Sequence, residues 1–215
     1  MRVSGWKSFL VTAAAILTIG LVLSAAAGPP RIDIGQAAAE ATIVAGEMSL
    51  SVDPAKSKVH WMVDSTLHAV HGTFVLKGGA LHFVAGSGEA DGEIVVLATS
   101  GESGNSSRDE RMHKEVLETG KYPEAVFRPT RVEGKVASSG SSDVKVHGTL
   151  VLHGGSHEID VPVHAEISGE SWKGTGKFDV PYIQWGLKNP SNILLKVQPV
   201  VNVELEMRGT VKVAK

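Results

Sequence analysis

Between Val201 and Val213 the chain places an apolar side chain at almost every second position. Val201, Val203, Leu205, Met207, Val211 and Val213 alternate with Asn202, Glu204, Glu206, Arg208, Thr210 and Lys212. A helix would scatter these residues around its circumference, whereas an extended strand sends them to opposite faces, one for a core and one for water. The same period recurs in Val59, Trp61 and Val63, in Val144, Val146, Leu150 and Leu152, and in Ile159, Val161 and Val163. The chain is therefore expected to be built of antiparallel strands with one buried face each.

Glycine pairs suggest how some strands join, because tight hairpin turns need the positive φ angles that glycine adopts freely. Gly78-Gly79 separates Phe74-Val75-Leu76 from Leu81-His82-Phe83, and Gly154-Gly155 separates Leu150-Val151-Leu152 from Ile159. Both read as hairpins. One segment departs from the strand pattern. Ser107-Arg108-Asp109-Glu110 has the Ser-x-x-Glu form of a capping box, Gly120 can end the helix that follows, and Met112 and Val116 would share its inner face. Such a helix would plug or lid the sheet. Many one-sided strands and one short helix suggest a sheet closed on itself, since closure removes aggregation-prone edges. A two-sheet sandwich gives a similar pattern, and alternation alone does not choose between a packed interior and a hollow one.

At the amino terminus Arg2 and Lys7 precede an apolar run from Phe9 to Leu23, followed by Ala25, Ala26 and Ala27. Basic, apolar and small-residue segments in that order read as a secretory signal over residues 1–27, although the stretch is nearly long enough to stay as a membrane anchor. Residues 28–46, with Gly-Pro-Pro and an alanine-rich stretch, read as a tether, and 47–215 as one domain. The chain has no cysteine, so neither a disulfide nor a lipidated cysteine is available. Loss of Arg2 and Lys7 with the leader leaves 19 basic residues against 23 acidic. That balance argues against a nucleic-acid partner, which calls for a basic stripe.

Several segments together resemble the YceI-like domain family. Ser49-Leu-Ser-Val-Asp53, Ser57-Lys-Val-His-Trp61, His68 and Gly72-Thr-Phe74 are similar to its opening strands. Asn105, Arg108-Asp109, Met112, Tyr122-Pro123 and Phe127 resemble its helix and the strand after it, and Gly148-Thr-Leu-Val-Leu-His-Gly154 resembles a hairpin. The resemblance implies an all-β, eight-stranded, antiparallel, lipocalin-like barrel with one short helix. It further implies a protein exported to the periplasm or secreted, which encloses a long polyisoprenoid or similar lipid and needs no cofactor. One departure is Val180-Pro-Tyr-Ile-Gln-Trp-Gly186, where the family often carries an arginine before its aromatic-Gly pair. A different or neutral head group would suit that change.

An apolar chain leaving water gains on the order of 25 cal/mol per Å² buried, so such a binder needs an oily lumen and little chemistry. On the strands the candidates to line it are Trp61, Val63, Phe74, Leu76, Phe83 and Phe127. Met112 and Val116 on the helix, with Phe178 and Trp185 farther on, complete the apolar set. Each could equally be ordinary packed core. A head group such as a pyrophosphate would need donors at the barrel mouth, for which Arg108 is the candidate, with Ser106 and Ser107 beside it. Arg108-Asp109 could instead be a structural pair.

Histidines at His60, His68, His71 and His82 raise a metal site, but no HExxH spacing occurs, since His157-Glu158 is followed by Ile-Asp-Val. No metal ligand is assigned. Gly101-Glu-Ser-Gly-Asn105 misses the last position of a nucleophile elbow, and Gly174-Thr-Gly176 lacks the third glycine of a dinucleotide loop. No catalytic residue is assigned either, and a lipid binder is the leading expectation, with an envelope interaction platform built on a packed barrel as its rival. An uncleaved leader would allow membrane association.

Overall fold

The computed structural model describes residues 46–214. The expected leader and nearly all of the expected tether lie outside the described residues. Nine strand segments form one antiparallel sheet: β1 (Glu47–Val52), β2 (Lys58–Val63), β3 (Val70–Val84), β4 (Ala90–Glu102), β5 (Glu124–Glu133), β6 (Gly140–Leu152), β7 (Gly155–Ser168), β8 (Ser171–Val180) and β9 (Val201–Val213). Between β4 and β5 lies the helix α1 (Ser106–Arg111), which continues as a widened π turn over Met112–Val116.

The sheet closes on itself as an eight-stranded barrel. Segments β1 and β2 both pair with β3 on one side and β9 on the other, so together they fill one strand position. Pro54 explains the interruption, because proline has no N–H for the ladder. Asp53 caps the short turn Pro54–Lys56, its carboxylate accepting from the Ala55 N–H at 3.0 Å. The break is sewn to β9 where the Asp53 N–H donates to the Arg208 carbonyl at 2.8 Å and the Arg208 N–H donates to Ser57 Oγ at 3.0 Å. Alternation in β9 thus marks a strand with neighbours on both sides, β8 and the composite first strand, over its whole expected length.

Two of the local expectations need correction. Gly78-Gly79 makes no turn: β3 runs through it and pairs with β4 on both sides of a bulge between Leu76 and Gly78. The glycines serve closeness instead, since a β-carbon on Gly79 would stand 2.5 Å from the Glu93 carbonyl oxygen. The helix begins earlier than the capping-box pattern indicates. Asn105, not Ser107, is the N-cap, and its side-chain oxygen accepts from the Arg108 N–H at 3.0 Å. It also stops before Gly120, where Glu118 takes the left-handed conformation at φ 46°.

The hairpin joining β6 to β7 does form, with His153 and Gly154 as its two loop residues, at φ 52° and 77°. Two positive φ values give the primed turn whose twist suits a hairpin. His153 tolerates this conformation under several restraints. It is bonded to the Glu118 carboxylate at 2.6 Å, and its ring lies 4.6 Å from that of Tyr122. The two left-handed non-glycine residues therefore hold each other, tying the end of the helical segment to the hairpin.

One end of the barrel is packed solid. Met48, Phe83, Ile167, Trp172, Met207 and Val211 form a buried cluster there, each worth roughly 1.5–3 kcal/mol of apolar burial. Trp172 also donates its indole N–H to the Ser51 carbonyl at 3.1 Å. At the other end α1 and the segments 64–69 and 181–200 come together. Among the described residues no helix is long and apolar enough to cross a membrane.

Candidate functional site

Above the packed floor the barrel is hollow. A cavity of about 770 Å³ runs along its axis, within the range of small-molecule sites. Its walls are the inward positions of the alternating strands: Val59, Trp61 and Val63 on β2, Ile159, Val161 and Val163 on β7, and Val201, Val203 and Leu205 on β9. Period-two patterning thus delivers one continuous hydrocarbon surface, while the intervening charged residues stay in water.

Glycines let the aromatic rings lie against the wall rather than across the lumen. Gly72 faces Trp61 on the paired strand, and a β-carbon there would overlap the indole. Phe74 follows at 6.3 Å from the Trp61 ring. On β4, Gly101 is buried, and a β-carbon there would stand 2.8 Å from the terminal methyl of Met112. An irregularity in β4 sets Gly101 facing the helical segment. Ser100 repairs the broken ladder, its hydroxyl accepting from the Val75 N–H at 2.7 Å and donating to the Leu97 carbonyl at 2.6 Å.

The helical lid is fastened at its seat. His113 donates from Nε2 to the Gly101 carbonyl at 2.8 Å, and the Thr119 N–H donates to the His113 carbonyl at 3.0 Å. Met112 and Val116 point into the cavity. Lys188 in the 181–200 segment meets Glu115 at 2.7 Å, joining that segment to the lid, and holds the Glu115 carboxyl below its ordinary range. A third connection runs between the two loops, where the Thr66 N–H donates to the Lys196 carbonyl at 2.9 Å and the Gln198 N–H to the Asp64 carbonyl at 2.8 Å. The cavity wall reaches the surface among these elements, at Ser65, His68, Asn105, Ser107, Arg108 and Arg111.

Of the residues expected on sequence grounds, Trp61, Val63, Phe74, Phe83, Phe127 and Phe178 front the cavity, as do Arg108, Met112 and Val116. Two do not. Leu76 is buried in the packed cluster beside the β3 bulge, and Trp185 lies beyond β8, stacked on His157 with ring centroids 4.0 Å apart. Arg108 does not pair directly with Asp109. Its guanidinium donates to Ser103 Oγ at 2.7 Å and to the Ser103 carbonyl at 2.9 Å, and the Ser103 hydroxyl in turn bonds Asp109. Three of its five N–H donors remain for other partners.

The pattern did not single out Tyr182, Leu187 and Leu195, which also front the cavity but sit in the irregular segment after β8 where no period exists. Polar atoms facing this interior are few. Trp61 Nε1 and Tyr182 Oη are buried with no hydrogen-bond partner, and burial pushes the Tyr182 phenol above its ordinary pKa. Among the described residues no group of three histidine or acidic side chains is arranged to hold a metal. His147 and His82 instead pair with carboxylates: His147 with Asp160 at 2.6 Å and Glu133 at 3.0 Å, His82 with Asp91 at 3.2 Å.

Comparison with known proteins gives a consistent picture. The model of the YceI-like domain matches residues 50–209. The crystal structure of BcnA from Burkholderia cenocepacia is similar, with a TM-score of 0.61 and 19% identity over 74% of this chain and 99% of that one. A polyisoprenoid binding domain from Saccharophagus degradans, implicated in plant cell wall breakdown, is similar with a TM-score of 0.57 and 18% identity, covering 76% and 98% of the two chains. At these identities the likeness is one of fold. No curated protein matches the sequence.

Proposed function

The chain belongs to the YceI-like domain family, and from that premise we propose that it is an exported binding protein, not an enzyme, which holds a long isoprenoid-type lipid in its barrel lumen. The observation that carries this reading is the hollow itself, about 770 Å³ of space walled by aliphatic and aromatic side chains. A rigid platform has no need of such a space, and leaving it empty forfeits the dispersion contacts that packed interiors make. A hollow of that size, lined by hydrocarbon along the strands, suits an elongated apolar chain. The polyisoprenoid-binding relative of the same fold supports the isoprenoid class.

The tail lies on the Phe83, Trp172 and Met207 floor, and the polar end sits at the mouth near Arg108, Tyr182 and His68. Export rests on the order of basic, apolar and small residues over positions 1–27, which delivers the domain to the periplasm or beyond. A long-chain polyprenol added to the protein is expected to co-elute with it on gel filtration. Ala98, buried on the lumen wall, provides the control: Ala98→Trp fills the space with an indole and abolishes co-elution. Equal retention by the folded variant would contradict binding in the lumen.

A further inference from the structure

The largest apolar exposures among the described residues gather at the mouth of the cavity. Leu67 is 75% exposed, Ile193 95% and Leu194 89%, whereas the next, Val75, is 54% exposed and lies mid-strand on β3. The three leucine and isoleucine side chains sit on the two loops that hydrogen-bond to each other through Thr66 and Lys196. Their exposure is built in. Asn192 closes a tight turn, its side-chain oxygen accepting from the N–H groups of Leu194 at 2.9 Å and Leu195 at 2.8 Å, while its own N–H donates to the Leu195 carbonyl at 2.8 Å. This turn sends Leu195 toward the cavity and leaves Ile193 and Leu194 in water. A single exposed aliphatic side chain is ordinary, but a group of them at the rim of an oily channel marks a contact surface.

Charge indicates what that surface meets. The stretch from Val180 to Val203 holds no acidic residue; its Lys188 is engaged by Glu115 of the lid, while Lys196 makes no ion pair among the described residues, in a chain whose formal charge is −2. Arg108 and His68 edge the same opening, with Arg111 beside them 3.7 Å from Glu115. Aliphatic tips with cations set behind them suit the boundary between acyl chains and anionic head groups, where each lysine near the surface adds attraction that salt screens. Continuity with the lumen selects the same partner, because a lipid leaving a bilayer through this rim never has to expose its tail to water.

We infer that the rim formed by Leu67, Ile193 and Leu194 docks on an anionic lipid bilayer and sets the cavity mouth against it. The docking goes beyond the lumen reading and is tested apart from it, with vesicles that contain no prenyl lipid. Because the chain has no cysteine, one label can be placed at will. An environment-sensitive dye on Leu194→Cys should shift to the blue and brighten when phosphatidylglycerol vesicles are added, and respond much less to pure phosphatidylcholine. The same dye on Lys212→Cys, near the opposite end of the barrel, should not change. The combined Ile193→Ser and Leu194→Ser variant, which leaves the cavity lining intact, should lose at least about tenfold in vesicle affinity, equal to 1.4 kcal/mol, while still binding a polyprenol in solution. Val75→Ser should lose nothing. A silent Leu194 label, equal response at both ends, or vesicle binding unchanged in the double variant would overturn the inference, as would self-association through this rim in place of vesicle binding.

Discussion

The ring of Phe127 on β5 occupies the space that a side chain at Gly148 on β6 would need: a β-carbon there would stand 2.7 Å from two of the ring carbons and 2.5 Å from the Arg128 carbonyl oxygen. Gly148 falls at the inward position between Val146 and Leu150, so its missing side chain lets the ring lie along the wall and leaves the lumen open. Gly148→Ala therefore has to push the ring inward or the strands apart, and should cost about 1–3 kcal/mol, or several degrees of melting temperature in a domain of this size. Gly86→Ala, with nothing within 4 Å of the new methyl, should leave thermal unfolding almost unchanged. Similar losses in both variants would refute the packing role of Gly148.

Tyr182 carries a buried hydroxyl without a partner on the cavity wall. An unsatisfied buried polar group costs about 1–3 kcal/mol, so Tyr182→Phe should leave the empty protein equally stable or slightly more so. With a hydroxyl- or phosphate-bearing lipid bound, the same substitution removes a hydrogen bond worth roughly 0.5–1.5 kcal/mol, and affinity should fall while binding of a plain hydrocarbon of equal length does not. Titration calorimetry on the two ligands separates these outcomes. A destabilised empty variant would show that the hydroxyl has a protein partner.

Arg108 stands at the mouth with part of its guanidinium committed to Ser103. Charge-assisted bonds from its remaining donors would be made only to an anionic head group. Arg108→Ala should thus weaken a polyprenyl phosphate more than the matching alcohol. Equal weakening of the two, measured by competition, would reduce Arg108 to a loop fastener.

Stability should fall on mild acidification through His157. Burial lowers the pKa of this imidazole, its Nε2 has no partner, and Trp185 covers one face. The unfolded chain takes up a proton near pH 6.5, whereas the folded protein resists it to lower pH. Stability is therefore complete above pH 6.5 and declines as pH falls below it, because the unfolded state then binds more protons. His157→Phe keeps the stack and should flatten that part of the stability curve between pH 6.5 and 5. An unchanged slope would assign the effect to another group.

Much of the barrel was legible because strand alternation reports directly which face is buried. Val201–Val213 needed no correction for that reason, and the inward positions on β2, β6 and β7 followed from the same rule. Glycine was harder to read, since one residue type serves both turns and close approaches. Gly154 lies in a turn and Gly79 in a continuous strand, and the difference lies in a carbonyl from β4 that only the folded sheet supplies. Leu76 keeps the strand period, but the bulge beside it takes it out of the lumen and into the packed cluster. Trp185 and Tyr182 lie three residues apart in an aperiodic segment, and nothing in their spacing tells that one stacks outside on His157 while the other turns inward. The hollow was not legible in the strand pattern, because filled and empty barrels use the same side chains; the family resemblance alone pointed to it.

Whether that hollow carries a lipid in the cell is read most directly by native mass spectrometry of the protein purified, without added lipid, from the cells that make it. The account predicts an intact species heavier than the chain by one prenyl-type lipid, with the extra mass released on denaturation and found in the organic extract. A spectrum showing only the mass of the polypeptide, from protein that also declines added polyprenols, would contradict it.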